Sequence, residues 1–248
     1  IQNGQLISKL GQLNSTLEVK VTERTHELYN MAFYDQLTSL PNRRMFEVSL
    51  KKSVFSAHQN NTPLALMFLD LDRFKTINDN FGHSYGDLML REVADRIKGC
   101  ADRNTLISRQ GGDEFALIIE DYNVTQYLDD LAQSILREIT KPISIFGQII
   151  HTSCSIGIAL YSRHCEDPET LMRYADAAMY YSKERGKNTY DFYTEGLDIS
   201  ISKKLELETE LSKALENQEF SIYYQPQINI KYRSVFLKLV EFIFIITS

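Results

Sequence analysis

The sequence predicts an α+β domain, in which a mixed central sheet is flanked by helices and preceded by an N-terminal linker helix. Helix-like and strand-like segments alternate between residues 42 and 194. Two of the strand-like segments are joined through a glycine pair, which is typical of a hairpin. The order β-α-β-β-α-β, with extra helices, indicates a mixed sheet covered by helices. We therefore expect a βαββαβ core.

Residues 1–30 have the apolar spacing of a long helix without a proline. The apolar positions fall on one stripe: Leu6, Leu10, Leu13, Leu17, Val21 and Leu28. Such a stripe favours a signalling coiled coil that pairs with a second copy of the chain. A helix packed on its own domain remains the alternative.

Residues 31–194 carry the alternating elements. Pro41 and Asn42 open a helix, because proline suits a first turn and asparagine caps it. The apolar run Leu64–Leu71 follows Pro63 and predicts a buried strand. From the same patterns, we expect helices at 42–57, 74–80, 85–98, 124–140 and 168–185, and strands at 64–71, 105–109, 115–120, 150–161 and 189–193.

Residues 195–248 predict an amphipathic helix from about residue 198 and a strand at 220–225. The segment is too short for an independent domain of ordinary size. Its apolar tail is interrupted by Lys238 and Glu241, and it falls short of the about 20 apolar residues that span a bilayer. We therefore expect no membrane contact from this fragment and a cytoplasmic location, although a region preceding Ile1 could tether the protein to the inner membrane.

The net charge of −6 argues against broad nucleic-acid binding, which requires a basic face. The odd cysteine count, without a CxxC spacing, predicts free thiols rather than disulfides or a zinc site. The five histidines are scattered, which excludes the common histidine-pair metal motifs.

Two acidic clusters are candidates for the chemistry. Asp70 and Asp72 end a predicted buried strand, and Asp113 and Glu114 follow the glycine pair. If the two strands are neighbours, their carboxylates converge, and hard oxygen ligands suit Mg²⁺. Each cluster taken alone is explained as well by a solvated turn.

The segment after the first cluster carries polar residues between short helices. Lys75 and the amides of a helix start are able to hold phosphate oxygens. Asn78 and Asp87 offer an amide and a carboxylate that could recognise a purine edge. Ordinary helix capping is the alternative for both residues.

The stretch Arg109–Phe115 (RQGGDEF) resembles the signature of the GGDEF family of diguanylate cyclases, which have a nucleotidyl cyclase-like fold. Three further motifs resemble the family pattern in order and spacing: DQLTSLPNRR at 35–44, the stretches 70–79 and 82–87, and ADAAMY at 175–180 with 183–188. The likeness covers roughly residues 31–194, and four motifs in register are far more specific than one.

The resemblance implies roles for particular residues. It implies Asp70, the carbonyl of Leu71, Asp113 and Glu114 as ligands of Mg²⁺ or Mn²⁺. It also implies Asp113, Glu114 and Lys75 as catalytic residues. The residues implied to bind GTP are Phe74, Asn78, Asp87, Gly111, Gly112, Lys183 and Lys187. Lysine at 187 is a mild departure, because family members often have arginine there.

The resemblance further implies that two GTP molecules are condensed to cyclic di-GMP at a site shared by two face-to-face domains. A homodimer through the N-terminal helix would bring these domains together. A catalytically silent GTP-binding regulatory domain and an inert dimerisation scaffold are the alternatives.

Two stretches depart from the patterns they resemble. Where many family members have an RxxD product-inhibition motif, this chain has Asp102-Arg103-Asn104-Thr105, so we expect no such site. Residues 195–248 resemble the opening of an EAL phosphodiesterase domain, with Glu219–Gln227 as its first strand. The likeness ends after Ser234, so we expect a truncated stub without phosphodiesterase activity.

Overall fold

The computed structural model describes residues 2–120, 125–161, 167–217, 221–229 and 234–243, and within them most side chains outside residues 2–16, 198–206 and the two C-terminal strands. The chain divides into two compact units, residues 1–195 and 196–248.

The first unit alternates helices and strands as the sequence predicts. Its helices are α1 (Gln2–Phe33), α2 (Arg43–Asn60), α3 (Phe74–Phe81), α4 (His83–Cys100), α5 (Thr125–Thr140) and α6 (Pro168–Glu184). Its strands are β1 (Leu64–Leu71), β2 (Thr105–Gly111), β3 (Glu114–Glu120), β4 (Ile143–Ile145), β5 (Gln148–Ile150), β6 (Cys154–Leu160) and β7 (Tyr190–Phe192).

Five strands form the central sheet in the order β2-β3-β1-β6-β7. The central strand β1 is antiparallel to both β3 and β6, whereas β6 and β7 are parallel. The sheet is therefore mixed, and the predicted α+β fold class is confirmed.

Each face of the sheet packs on its own set of helices. Alternate residues of β1, such as Met67 and Leu69, pack in a core with residues of α4 and α5. The intervening Leu64 and Leu66 pack in a second core with α2 and α6. The strict alternation follows from the pleat of a strand, which sends successive side chains to opposite faces. Asp70 continues the second set, so it faces the side of the sheet on which α6 lies.

Helix α6 lies against β6 without space for a side chain between them. A Cβ atom at Gly157 would lie 2.1 Å from both the carbonyl oxygen of Ala175 and the amide nitrogen of Met179. This close approach requires glycine. It also fixes the position of α6, whose last turn carries Lys183.

The prediction of one strand over 150–161 was wrong at its beginning. A separate hairpin, β4–β5, precedes β6 and turns at Phe146 and Gly147, both with positive φ. Residues 151–153 then leave the strand conformation. Ser153 bonds instead to the residue that follows β1, because the amide of Asp72 donates to the carbonyl of Ser153 at 2.9 Å.

Helix α1 extends a few residues beyond the predicted 1–30. The described members of its apolar stripe are solvent-exposed: Leu17 is 49%, Val21 63% and Leu28 65% exposed. The side chains of the other three stripe residues lie outside the described residues. None of the helices that the structure describes is both long and apolar enough to cross a membrane.

The second unit consists of α7 (Leu197–Glu216) and an antiparallel hairpin of β8 (Ser221–Asn229) and β9 (Ser234–Ile243). The first strand is longer than predicted, and the second strand was not predicted. Phe220, which opened the predicted strand, lies outside the described residues.

Candidate active site

The antiparallel pairing of β1 and β3 brings the two acidic clusters together. Asp70 is the register partner of Glu114 on the neighbouring strand. Immediately beyond this pair, the amide of Leu71 donates to the carbonyl of Asp113 at 3.3 Å. Because directly opposite residues of an antiparallel pair lie on one face of a sheet, the carboxylates of Asp70 and Glu114 share a side.

Negative charge accumulates at this end of the sheet. Burial raises the pKa of Asp113, and the charge of Asp70 raises it further. Partial burial also raises the pKa of Glu114, with further contributions from Asp70, Asp113 and Asp176. Neighbouring carboxylates disfavour one another's ionised forms, and a bound cation stabilises those ionised forms.

Lys183 is the cation that α6 presents to this cluster. Its Nζ lies 2.8 Å from Oδ2 of Asp70. Burial raises the pKa of Asp113, Glu114 and Asp176, and the charge of Lys183 offsets part of that rise. Asp176 lies seven residues before Lys183, on the same face of α6. The sequence motif ADAAMY contained Asp176, but nothing in the sequence showed that it would face the acidic cluster.

The residues fit a magnesium ion that is held partly by substrate. In the described part of the chain, no group of three or more His, Cys, Asp or Glu side chains is arranged to hold a metal by itself. Asp70, Asp113 and the Leu71 carbonyl would supply part of an octahedral set. Mg²⁺ usually keeps waters and substrate phosphates as its other ligands.

The turn between β2 and β3 is open on the side where a ligand would approach. Gly111 and Gly112 have φ angles of 139° and 53°, and no atom lies within 4 Å of a Cβ added at either. The conformation therefore favours glycine, and the free space leaves the backbone accessible.

Arg109 anchors this turn. Its guanidinium donates to the Gly112 carbonyl at 2.7 and 3.2 Å and to both carboxylate oxygens of Asp35 at 3.0 Å. Burial alone would raise the pKa of Asp35, but hydrogen bonds from Thr38 and Arg109 hold it below its ordinary value. The sequence had placed Asp35 and Arg109 within motifs, but their partnership depends on tertiary contact.

The predicted guanine-binding residues gather between α3 and α4. Asn78 Oδ1 is buried and lacks a hydrogen-bond partner among the described residues. A Cβ at Gly86 would lie 2.0 Å from this oxygen and 3.1 Å from the ring of Phe74. Gly86 therefore makes the space that Asn78 occupies, a role that sequence reasoning missed. Asp87 is exposed at the start of α4.

The predicted phosphate-binding lysines lie on separate segments. Lys75 is exposed in the first turn of α3, and Lys187 is exposed in the connection from α6 to β7. Asp72 differs from its neighbour Asp70, because it is buried and accepts hydrogen bonds from Ser153, Ser155 and the amide of Asn188. In the first acidic cluster, Asp70 therefore faces the site, whereas Asp72 forms hydrogen bonds with neighbouring segments of the protein.

The stretch in place of the product-inhibition motif forms a local turn. Asp102 accepts hydrogen bonds from the amide of Asn104 at 3.2 Å and the hydroxyl of Thr105 at 3.0 Å. Its carboxylate thus caps its own turn, and the absence of product feedback here stays a prediction.

Comparison with protein families decides the relationship. A family model described as "Diguanylate cyclase, GGDEF domain" matches residues 32–189, more than half of the chain. The chain belongs to the GGDEF family. No EAL domain is found in it, and the resemblance of residues 195–248 to the opening of such a domain stays a prediction.

Relatives and solved structures extend this result. The chain is 37% identical over 223 residues to MucR of Pseudomonas aeruginosa, a "Bifunctional diguanylate cyclase/cyclic di-GMP phosphodiesterase"; the match covers 90% of this chain and 32% of MucR. The chain thus spans about a third of the length of that relative.

Two solved structures carry the same GGDEF fold. The GGDEF domain of TpbB from Pseudomonas aeruginosa is 36% identical with a TM-score of 0.66, covering 68% of this chain and 99% of that one. The coiled coil and GGDEF domain of DgcB from Caulobacter crescentus, in complex with c-di-GMP, is 29% identical with a TM-score of 0.69. That match covers 75% of this chain and 98% of the other.

Proposed function

We propose that this GGDEF domain is a diguanylate cyclase, which condenses two GTP molecules to cyclic di-GMP and releases pyrophosphate. The observation that carries the proposal is the carboxylate cluster at the ends of β1 and β3. The same end of the sheet carries Asp70, Asp113 and Glu114, and Lys183 balances only part of their negative charge. The glycine turn beside them is open to a ligand. A purely regulatory domain would not need this arrangement.

The reaction joins the 3′-oxygen of one GTP to the α-phosphorus of the other, and pyrophosphate leaves. Asp70, the Leu71 carbonyl, Asp113 and Glu114 would hold the metal. When bound, Mg²⁺ or Mn²⁺ supplies positive charge to the leaving group and lowers the pKa of the attacking hydroxyl. Glu114 would either assist at the metal or act as the general base that accepts the proton of that hydroxyl.

The remaining assigned residues bind and orient GTP. Asn78, with its unpartnered buried oxygen, and Asp87 would accept hydrogen bonds from guanine, which adenine does not offer in the same positions. Phe74, whose ring lies next to Gly86 as Asn78 does, would contact the nucleotide, and Lys75, Lys183 and Lys187 would hold phosphates. Gly111 and Gly112 would let the backbone approach the nucleotide.

Dimerisation is part of the proposal. Each domain would bring one GTP, so two domains must meet face to face. The exposed stripe residues of α1 supply an apolar surface for pairing, and the solved structure of DgcB joins a coiled coil to a GGDEF domain. We accordingly propose residues 1–30 as a signalling helix, 31–194 as the cyclase domain and 195–248 as a segment related to the start of an EAL domain.

The test is turnover by the purified chain. With GTP and Mg²⁺, we expect pyrophosphate release and cyclic di-GMP formation, with a specific activity that rises with protein concentration because two half-sites must meet. Asp102→Ala, which alters a carboxylate outside the cluster, is the matched control for substitutions of Asp70 or Asp113. GTP binding without pyrophosphate release would instead establish the silent regulatory domain.

A further inference from the structure

Asp72 is a buried carboxylate that the proposed chemistry does not use. It is 5% exposed and lies just beyond the end of β1. Among the described residues it forms no ion pair with a lysine, arginine or histidine. Burying a carboxylate without a cation costs free energy unless hydrogen bonds satisfy it. The donors around Asp72 therefore show which segments of the chain it binds together.

These donors come from two segments that are remote in sequence. Oδ2 of Asp72 accepts from the hydroxyl of Ser153 at 2.5 Å and from the amide of Asn188 at 3.1 Å. Oδ1 accepts from the hydroxyl of Ser155 at 2.9 Å. Asp72 therefore ties the end of β1 both to the segment before β6 and to the connection between α6 and β7.

The three tied segments form the walls of one cavity. It has a volume of about 380 Å³ and is lined by residues that include Arg73, Thr76, His151, Ser153 and Lys187. Two permanent cations thus line it, whereas the carboxylate of Asp72 is already occupied by three donors. Residues of the cavity are close in sequence to residues of the acidic cluster. Asp72 follows Asp70 by two residues, and Lys187 follows Lys183 by four.

The connection that carries Lys187 needs to be held in place. Gly186, Lys187 and Asn188 have consecutive positive φ angles of 125°, 65° and 49°. Residues other than glycine adopt this region at a cost in free energy, and they stay there when the surroundings hold them. The bond from the amide of Asn188, which follows Lys187 directly, ties this connection to Asp72.

We propose that Asp72 is a positioning residue for the phosphate tail of the nucleotide. Without contacting GTP, its carboxylate fixes the Lys187 connection and the 151–153 segment as the two walls that receive the β- and γ-phosphates. This inference rests on the proposed function, in which GTP is the substrate.

The experiment compares two nucleotides that lack the attacking hydroxyl, 3′-deoxy-GTP and 3′-deoxy-GMP, by calorimetric titration of the full chain with Mg²⁺. In Asp72→Ala we expect affinity for the triphosphate to fall about tenfold, the effect of losing one hydrogen bond between a misplaced Lys187 and a charged phosphate. Affinity for the monophosphate should stay within twofold of the parent. In turnover assays, the KM for GTP should rise more than kcat falls.

Two further variants separate positioning from general damage. Asp72→Asn keeps an oxygen for the Ser153 hydroxyl and the Asn188 amide. The Ser155 hydroxyl can rotate to accept from its NH₂ group, so this variant should retain most of the triphosphate affinity. Ser155→Ala removes a donor that does not line the cavity and should change affinity least. If Asp72→Ala fails to fold, Ser153→Ala takes its place, with the same expected difference between the two nucleotides.

Equal losses for both nucleotides, or no loss for either, would overturn the inference. A parent chain that binds 3′-deoxy-GTP but releases no pyrophosphate from GTP would refute the cyclase proposal and leave the phosphate-tail role standing. A parent that turns over GTP while the variants bind both nucleotides normally would refute only the role of Asp72.

Discussion

Two regions of this molecule use carboxylates in opposite ways. At the Asp35–Arg109 pair, the acid meets a guanidinium and two hydrogen bonds from Thr38, and its pKa falls. At the ends of β1 and β3, three acids share one lysine, and the pKa of Asp113 and of Glu114 rises. In the first region the negative charge is balanced within the protein. In the second region part of the negative charge is unbalanced and is available to bind a cation. The difference teaches that the residues for chemistry are those whose charges the fold leaves unbalanced.

The largest expected effect comes from removing an unbalanced acid. Asp113→Ala should lower cyclic di-GMP synthesis by at least about two to three orders of magnitude, the range for loss of one preorganised electrostatic group. Circular dichroism should show an intact fold, because no described hydrogen bond of the core uses this carboxylate. Equal product from the variant and the parent would refute the metal-ligand assignment.

A smaller effect is expected at the balanced pair. Arg109→Met should lower the free energy of unfolding by about 2 kcal/mol, because it leaves the partly buried Asp35 without its charged partner. Denaturant titration measures this loss. Asp35→Asn together with Arg109→Met should cost less than the sum of the single changes, and strict additivity would show that the two side chains do not act as a pair.

The guanine side offers a test of a residue that contacts no ligand. Gly86→Ala should push Asn78 out of its place, since the added Cβ would lie 2.0 Å from its oxygen. We expect the KM for GTP to rise about tenfold, the cost of one lost hydrogen bond to the base. Gly99→Ala, on the same helix with no atom within 4 Å of its Cβ, is the matched control and should bind GTP normally.

The unbalanced charge also predicts a pH effect on stability. Because the folded-state pKa of Asp113 is raised, the native state binds more protons than the unfolded state between the ordinary and the raised value, and stability falls as pH rises through that window. Without metal at pH 7, Asp113→Asn should therefore melt a few degrees above the parent. The gap should close below the ordinary pKa of aspartate. A variant that melts below the parent at pH 7 would contradict the repulsion.

The smallest effect is expected at the turn of residues 102–105. Asp102→Ala with Arg103→Ala should leave the inhibition of turnover by added cyclic di-GMP unchanged within twofold. Tight, stoichiometric product binding that this double variant abolishes would show that a feedback site exists there after all.

Much of the fold could be predicted because its signals are local. The run Leu64–Leu71 coincides with β1, and Asn42 caps α2 by accepting from the amide of Met45. The β4–β5 hairpin could not be predicted from apolar alternation, because that alternation does not show that residues 151–153 leave the strand. In the fold, Ser153 forms hydrogen bonds with Asp72. The acidic cluster could be located, but Asp176 and Gly86 could not, since each acts on a partner from another element.

The sequence by itself determined the elements, the acidic clusters at two strand ends and the glycine turn, because periodicity, capping and glycine conformation depend on near neighbours. Only the tertiary structure decided which acid is free to act. Asp70 and Asp72 look alike in the sequence, but the donors that satisfy Asp72 lie 81, 83 and 116 residues away. Charge balance is a property of the packed chain, so it cannot be read from residues that are adjacent in sequence.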